Sequence, residues 1–224
     1  MIPVINEAEN LAEVVENARQ AGADEIIVAD GGSTDGSRKI AKAMNCELVE
    51  SAPGRGIQQN SGASIASGDV LLFLHADNRL TPKSCREIRR QFETNQNETW
   101  YGCFRQQIDH SATIYRWIEL GNEWRVKWQG LVYGDQAMFV TRKLFDQVGG
   151  FPEIRIMEDF EISRRLSRRH RPIILTGPVV VSSRRWNQNG PVRQTFRNWW
   201  LSTAFRLGAS PEWIETQYRR HDRY

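Results

Sequence analysis

Apolar positions in the first third of the chain follow two alternating rhythms. Short unbroken runs, Glu25-Ile26-Ile27-Val28-Ala29 and Val70 to Leu74, have the length and composition of strands buried on both faces. Between them, Leu11, Val14, Val15 and Ala18 recur at helical spacing after Asn6, and a second helix is expected from about Ser37 through Ile40 and Met44. Cys46 to Glu50 reads as another strand and Pro53-Gly54-Arg55-Gly56 as a loop. A helix through Ala63 and Ile65 then leads into the strand ending at His75. Met1 to Ile5 is the stub of a first strand, and Pro82 suits the first turn of a helix reaching about Phe92. This alternation predicts an α/β fold with crossover helices.

The second half changes character. Trp100 to Ile108 reads as a strand, Ala112 to Trp128 as a helix, and Gln136 to Thr141 as a short strand before a helix ending at Gly149-Gly150. Met157 to Arg169 has a helical pattern with Phe160, Ile162 and Leu166 inward, and Ile173 to Ser183 is extended but interrupted at Gly177-Pro178. Aromatic-rich helices follow from Pro191 to Leu207 and after Pro211. No repeat or clear linker divides the chain. The expectation is one mixed-sheet domain over residues 1–190, with a helical appendage over 191–224 packed on it or on a partner.

Composition narrows the class. With 224 residues, 40% hydrophobic and 25% charged, the chain suits a soluble enzyme with a sizeable core. Three widely spaced cysteines, Cys46, Cys85 and Cys103, lack metal-ligand spacing and point to buried thiols in a reducing compartment. No stretch approaches the roughly 20 apolar residues of a membrane span and no signal core opens the chain, so a cytoplasmic location is expected. The net charge of +3 hides an asymmetry: residues 164–224 carry 13 Arg against three acids, and residues 1–163 carry 17 Lys and Arg against 24 acids. A phosphate-rich ligand, an anionic membrane surface, nucleic acid or plain solvation would each use such a basic end.

Candidate chemistry sits just after the predicted strands. Asp30 ends one and is followed by Gly31-Gly32, which let a base or ribose approach the backbone; the alternative is an ordinary turn in which Ser33 or Asp35 caps the next helix. His75 and Asp77 follow the other, where one carboxylate can hold Mg²⁺ or Mn²⁺ against a diphosphate; the alternative is a plain turn at Asp77-Asn78. Arg55, between two glycines, suits a phosphate contact or a solvated turn. Glu158-Asp159 opens a predicted helix, either as a cap or with Asp159 taking a proton from an acceptor hydroxyl. Tyr133-Gly134-Asp135-Gln136 is a candidate wall of the acceptor pocket or a donor contact. Phe196, Trp199, Trp200 and Phe205, interleaved with Arg193, Arg197 and Arg206, suit packing on the domain, a homodimer contact or a peripheral membrane contact. Nothing else in the chain supports nucleic-acid binding.

Taken in order, Pro3-Val4-Ile5-Asn6-Glu7, Ala29 to Gly36, Gly54-Arg55-Gly56, His75-Ala76-Asp77, Gly149-Gly150-Phe151 and Glu158-Asp159 resemble family 2 glycosyltransferases of the GT-A fold. Within that family, Tyr133-Gly134-Asp135-Gln136, Met157-Glu158-Asp159 and Arg184-Arg185-Trp186 resemble a bacterial subgroup associated with radical SAM partners and named for arsenosugar biosynthesis. The resemblance implies a mixed, mostly parallel sheet flanked by helices, a nucleotide-diphosphate-sugar donor, Mn²⁺ or Mg²⁺, and inverting transfer of a single sugar to a small or lipid-linked acceptor. It assigns Asp30 to the nucleoside, Arg55 to a phosphate, Asp77 to metal and diphosphate with His75 beside it, Asp135 to the donor, and Asp159 to the base with Glu158 next to it. Arg184, Arg185 and Trp186 go to the acceptor or diphosphate, unless Trp186 packs under the terminal helices. Two departures stand out: Asp30-Gly31 where the pattern has paired Asp, and His75-Ala76-Asp77 where it has Asp-x-Asp. A non-catalytic sugar-nucleotide-binding protein is therefore an alternative. A sugar-phosphate nucleotidyltransferase is another, although the chain lacks a Gly-x-Gly-Thr-Arg loop near its start.

Overall fold

The computed structural model describes residues 1–95 and 98–219, and in it the apolar runs form the middle of a sheet. Strands β1 (Ile2–Val4), β2 (Ile27–Asp30) and β3 (Glu47–Glu50) pair in parallel, with helices α1 (Ala8–Gln20) and α2 (Ser37–Ala43) as crossovers. Helix α3 (Arg55–Ile65) leads into β4 (Val70–Leu72). Met1 stitches β4 beside β1: its amino nitrogen donates to Leu72 O at 2.7 Å and its carbonyl accepts from Leu74 N at 3.0 Å, the bond pattern of a parallel pair. Beyond β4 the order is β4-β7-β6-β8-β5, with β5 (Asn78–Arg79), β6 (Tyr101–Ile108), β7 (Phe139–Thr141) and β8 (Ile173–Val181). Only β5 and β7 oppose the rest among the described strands, so the sheet is mixed and mostly parallel.

Both faces are covered, which explains the unbroken apolar runs. Leu71 and Phe73 join Tyr101, Cys103, Val140, Ile162 and Leu166 on one side, while Leu74 joins Val4, Leu11, Val15 and Phe104 on the other. The flanking helices are α4 (Ser84–Thr94), α5 (Thr113–Gln129), α6 (Arg142–Val148) and α7 (Glu158–Ser167). The chain closes with α8 (Arg184–Asn189), α9 (Pro191–Arg206) and α10 (Pro211–Arg219). Leu201 and Ile214 from α9 and α10 bury themselves against Leu131, Met157 and Phe160, and Phe205 meets Phe160 edge-on at 5.3 Å. Residues 220–224 of the expected appendage lie outside the described residues.

Two expectations need correcting, and one takes a definite form. The strand from Gln136 begins only at Phe139, because Gly134–Gln136 form a 3₁₀ turn in which the Gln136 side chain accepts from Tyr133 N at 3.3 Å. Gly177-Pro178 interrupts the extended segment as expected: β6 pairs Phe104 with Leu175 and then Gln106 with Val179, so the proline, which has no N–H to donate, sits in a bulge. Gly177 N, released from the ladder, donates to Glu87 Oε2 at 3.0 Å. Cys85 and Cys103 are buried thiols as expected, whereas Cys46 is half-buried.

Candidate active site

The loops after β2 and β4 open on one edge of the sheet, at the carboxyl ends of parallel strands. Asp30 ends β2 fully buried, and its carboxylate accepts from Gly32 N at 3.0 Å, Ser33 N at 3.1 Å and Arg38 Nε at 2.6 Å. Burial opposes ionisation, yet the bonds from Ser33, Arg38 and Gly32 outweigh it and hold the carboxyl below its usual range. Asp30 therefore first shapes the turn, with Oδ1 keeping only a 3.3 Å contact from Ser33 N. The capping task falls to Asp35, which accepts from Ser37 N at 2.8 Å and from Ala8 N at 3.0 Å. Asn6 Oδ1 accepts from Thr34 N at 2.9 Å and ties this loop to the end of β1.

Arg55 stands exposed at the amino end of α3, where helix amides favour anions. Gly56 beside it is pressed onto the 151–158 segment, since a Cβ there would come within 2.5 Å of Pro152 O. That contact brings Arg55 within electrostatic reach of Glu158 and His75.

A cluster of acids surrounds His75. Gly134 N donates to Asp159 Oδ2 at 2.8 Å, Phe160 N donates to Asp159 Oδ1 at 2.7 Å, and the Asp159 carboxylate is thereby aimed from the first turn of α7. Gly134 also leaves room for the His75 ring, whose Nε2 would lie 2.5 Å from a Cβ at that position. Asp135 accepts from Gln106 Nε2 at 2.8 Å, while its Oδ1 is buried without a partner. Burial raises the Asp135 pKa; Arg125 and Gln106 oppose this, and Asp159 and Asp77 push it up further. Glu158 is buried, and burial together with the charge of Asp159 lifts it to about 7. His75 is lowered to about 4 by burial and by Arg55, so its imidazole is neutral near pH 7. Of the four non-glycine residues with positive φ among those described, Asn6, Ala137 and Met157 border these loops.

The terminal helices close one side. Trp186 is buried and its indole N–H donates to Thr195 Oγ1 of α9 at 3.2 Å, whereas Arg184 and Arg185 on α8 are exposed. Tyr218 of α10 has its pKa raised by burial and by the charge of Asp159, against the charges of Arg185, Arg197 and Arg55. The structure thus gathers Arg55, His75, Asp77, Asp135, Glu158, Asp159 and Arg185, while Asp30 is paired with Arg38 in the neighbouring loop. Arg38, Gln106, Arg125 and Tyr218 escaped the sequence reading. Arg125 lies 3.4 Å above the Tyr133 ring and donates to Gln136 Oε1 at 3.0 Å, bracing the turn that carries Gly134 and Asp135. Nothing local in the sequence marks Gln106 or Tyr218, because Asp135 and Asp159 lie far from them along the chain.

Among the described residues no three His, Cys, Asp or Glu side chains converge as a metal-binding group. A divalent ion shared with a diphosphate needs fewer protein ligands, since phosphate oxygens and water complete its shell. Exposed Asp77 and the neutral imidazole of His75 beside it fit such a shared ion.

The family model for glycosyl transferase family 2 matches residues 1–152. A PGL/p-HBAD biosynthesis glycosyltransferase of Mycobacterium tuberculosis is 28% identical over 207 residues, covering 87% of this chain and 78% of the relative. The O-antigen chain rhamnosyltransferase WbaN of Salmonella anatum is 25% identical over 213 residues, covering 87% and 65%. Glycosyltransferase AglJ of Haloferax volcanii is 40% identical over 57 residues, 25% of this chain and 19% of AglJ. Among solved structures, Staphylococcus aureus TarS 1-349 with UDP-GlcNAc superposes with a TM-score of 0.63 at 15% identity, covering 81% of this chain and 57% of TarS. Glucosyl-3-phosphoglycerate synthase from Mycobacterium tuberculosis with Mn²⁺ and UDP-glucose gives 0.54 at 18% identity, covering 80% and 68%.

Proposed function

From the premise that the chain belongs to glycosyltransferase family 2 and has the GT-A fold, we propose that it moves a single sugar from a nucleotide-diphosphate donor to an acceptor with inversion. The observation that carries this reading is the Gly134 N–H to Asp159 bond, which draws the 133–136 turn and the start of α7 around His75 and Asp77. The same bond joins two segments behind the resemblance to the radical SAM-associated subgroup and supports placing the chain in it. In this reading residues 1–190 are the transferase unit and 191–224 its appendage, and the three free cysteines suit a reducing cytoplasmic setting. No helix among the described residues is long and apolar enough to cross a membrane.

Asp159, fixed by two amides, accepts the proton of the acceptor hydroxyl as its oxygen attacks the anomeric carbon. The bond from that carbon to the diphosphate breaks with its electron pair staying on the leaving oxygen. Arg55 and Arg185, with Arg184 beside them, supply positive charge where the diphosphate departs, and Asp30 and its turn face the nucleoside. Asp77, with His75 at its side, would hold Mn²⁺ or Mg²⁺ on the diphosphate, where the ion neutralises leaving-group charge. Asp159→Asn is expected to abolish sugar transfer and leave nucleotide affinity intact. Donor consumption by the variant equal to the parent's would overturn the assignment of the base.

A further inference from the structure

Helices α5 and α9 leave a groove of about 660 Å³ between them, a size typical of ligand pockets. Trp117, Trp124 and Trp128 form a stripe on α5, and Val192, Phe196 and Trp199 form one on α9, each residue at least 62% exposed. Trp124 and Trp128 stack at 5.5 Å and Phe196 meets Trp199 at 6.1 Å, so the rings pack along their own helices and leave the space between open. A monomer seldom exposes an apolar surface of this kind without a use for it.

Two observations say what fills it. First, the groove's inner end is lined by Tyr133, Asp135 and Trp186. Asp135 adjoins the amide that holds Asp159, and Trp186 adjoins Arg185, so the groove runs from the acidic cluster outward. Second, apart from Asp135 Oδ1, most of its polar side chains are already engaged within the protein. Ser202 and Thr203 donate to carbonyls of α9, Thr195 accepts from Trp186, and Asn122 donates to Gln106. Arg125 is held by Leu131 O and Gln136, and Arg206 by Gln129. The walls offer hydrocarbon contact and few free hydrogen-bond partners for sugar hydroxyls.

We infer that the α5–α9 groove is an acceptor subsite for the apolar chain of an amphiphile, whose hydroxyl end reaches Asp159. The inference rests on the transferase reading for what happens at that end, but chain binding is measured separately. The probes are octyl, decyl and dodecyl maltosides below their micellar concentrations, followed by tryptophan fluorescence. Saturable one-to-one binding is expected, tightening roughly tenfold for each pair of methylenes added. Trp117→Glu and Phe196→Glu, at exposed positions, should keep the fold by circular dichroism and weaken dodecyl maltoside binding at least tenfold, with metal-nucleotide affinity unchanged. Affinity indifferent to chain length would make the surface a sugar-stacking face and overturn the inference. Binding only to phosphatidylcholine vesicles, or a dimer in sedimentation that the same variants dissociate without any chain binding, would overturn it in favour of a membrane or self-association surface. Chain binding that persists in a protein with no nucleotide affinity would instead sink the transferase reading and leave the groove standing.

Discussion

Gly31 and His75 occupy the two positions where the family pattern has an extra carboxylate, and the neighbour of each accounts for the change. A Cβ on Gly31 would meet Gln58 Cδ and Ile5 Cδ1 at 2.9 Å, and Gln58 is locked by bonds to Val4 O and Ala29 O. Gly31→Asp should therefore cost about 1–3 kcal/mol by overpacking, read from thermal or urea unfolding. His75 fits because Gly134 has no side chain, and its neutral ring leaves the acidic cluster with one charge fewer. Glu158 and His75 pull the pH dependence of stability in opposite directions. Between about 4.5 and 7 the folded chain keeps a proton on Glu158 that the unfolded chain releases, so stability falls as pH rises; between about 4 and 6.5 the unfolded chain protonates His75 while the folded chain resists, so stability rises with pH. The two offset each other where the windows overlap. Glu158→Gln should leave a steeper rise of stability across pH 4.5–6.5, and His75→Asn should leave a fall, as denaturation midpoints at several pH values would reveal. Asp30, Asp77, Asp135 and Asp159 were legible in the sequence because acids stand out after apolar runs and at a helix start. Arg125 and Gln106 were not, since their value lies in bracing a turn that only the folded chain brings to them.

Strands and crossover helices of the first half were legible for a simple reason: a strand buried on both faces must be continuously apolar. The second half was harder. Residues 134–136 turn rather than extend because Gln136 satisfies its own turn, and Pro178 survives within β8 because the bulge takes it out of the ladder. Helix α10 hid its role most completely. Its aromatic and apolar residues predicted packing somewhere, but not that Ile214 would anchor beside Met157 and Phe160 and carry Tyr218 towards Asp159. Ile214→Ala should cost about 2–5 kcal/mol and reduce transfer as Tyr218 is displaced. Tyr218→Phe should spare the melting temperature and lower transfer alone; unchanged transfer in both variants would show that α10 is only a cover.

For the whole molecule, the charge asymmetry resolves into two parts. Some of the basic C-terminal surplus is already paired, as Arg164 and Arg165 are with Glu161, while Arg55 from the acidic half and exposed Arg185 both set their charge against His75. That arrangement suits a ligand with concentrated negative charge, and its affinity should weaken several-fold as salt rises through the physiological range. This basic edge beside the acidic cluster is expected to bind a nucleoside diphosphate through Asp77 and a shared divalent ion. Calorimetric titration of the full chain and its Asp77→Asn variant with UDP, GDP, ADP and dTDP, each with Mn²⁺ and with EDTA, tests it most directly. The parent chain is expected to bind at least one nucleotide with Mn²⁺, and EDTA or Asp77→Asn to abolish this binding. Absence of binding to all four, or binding indifferent to both EDTA and the substitution, would contradict it.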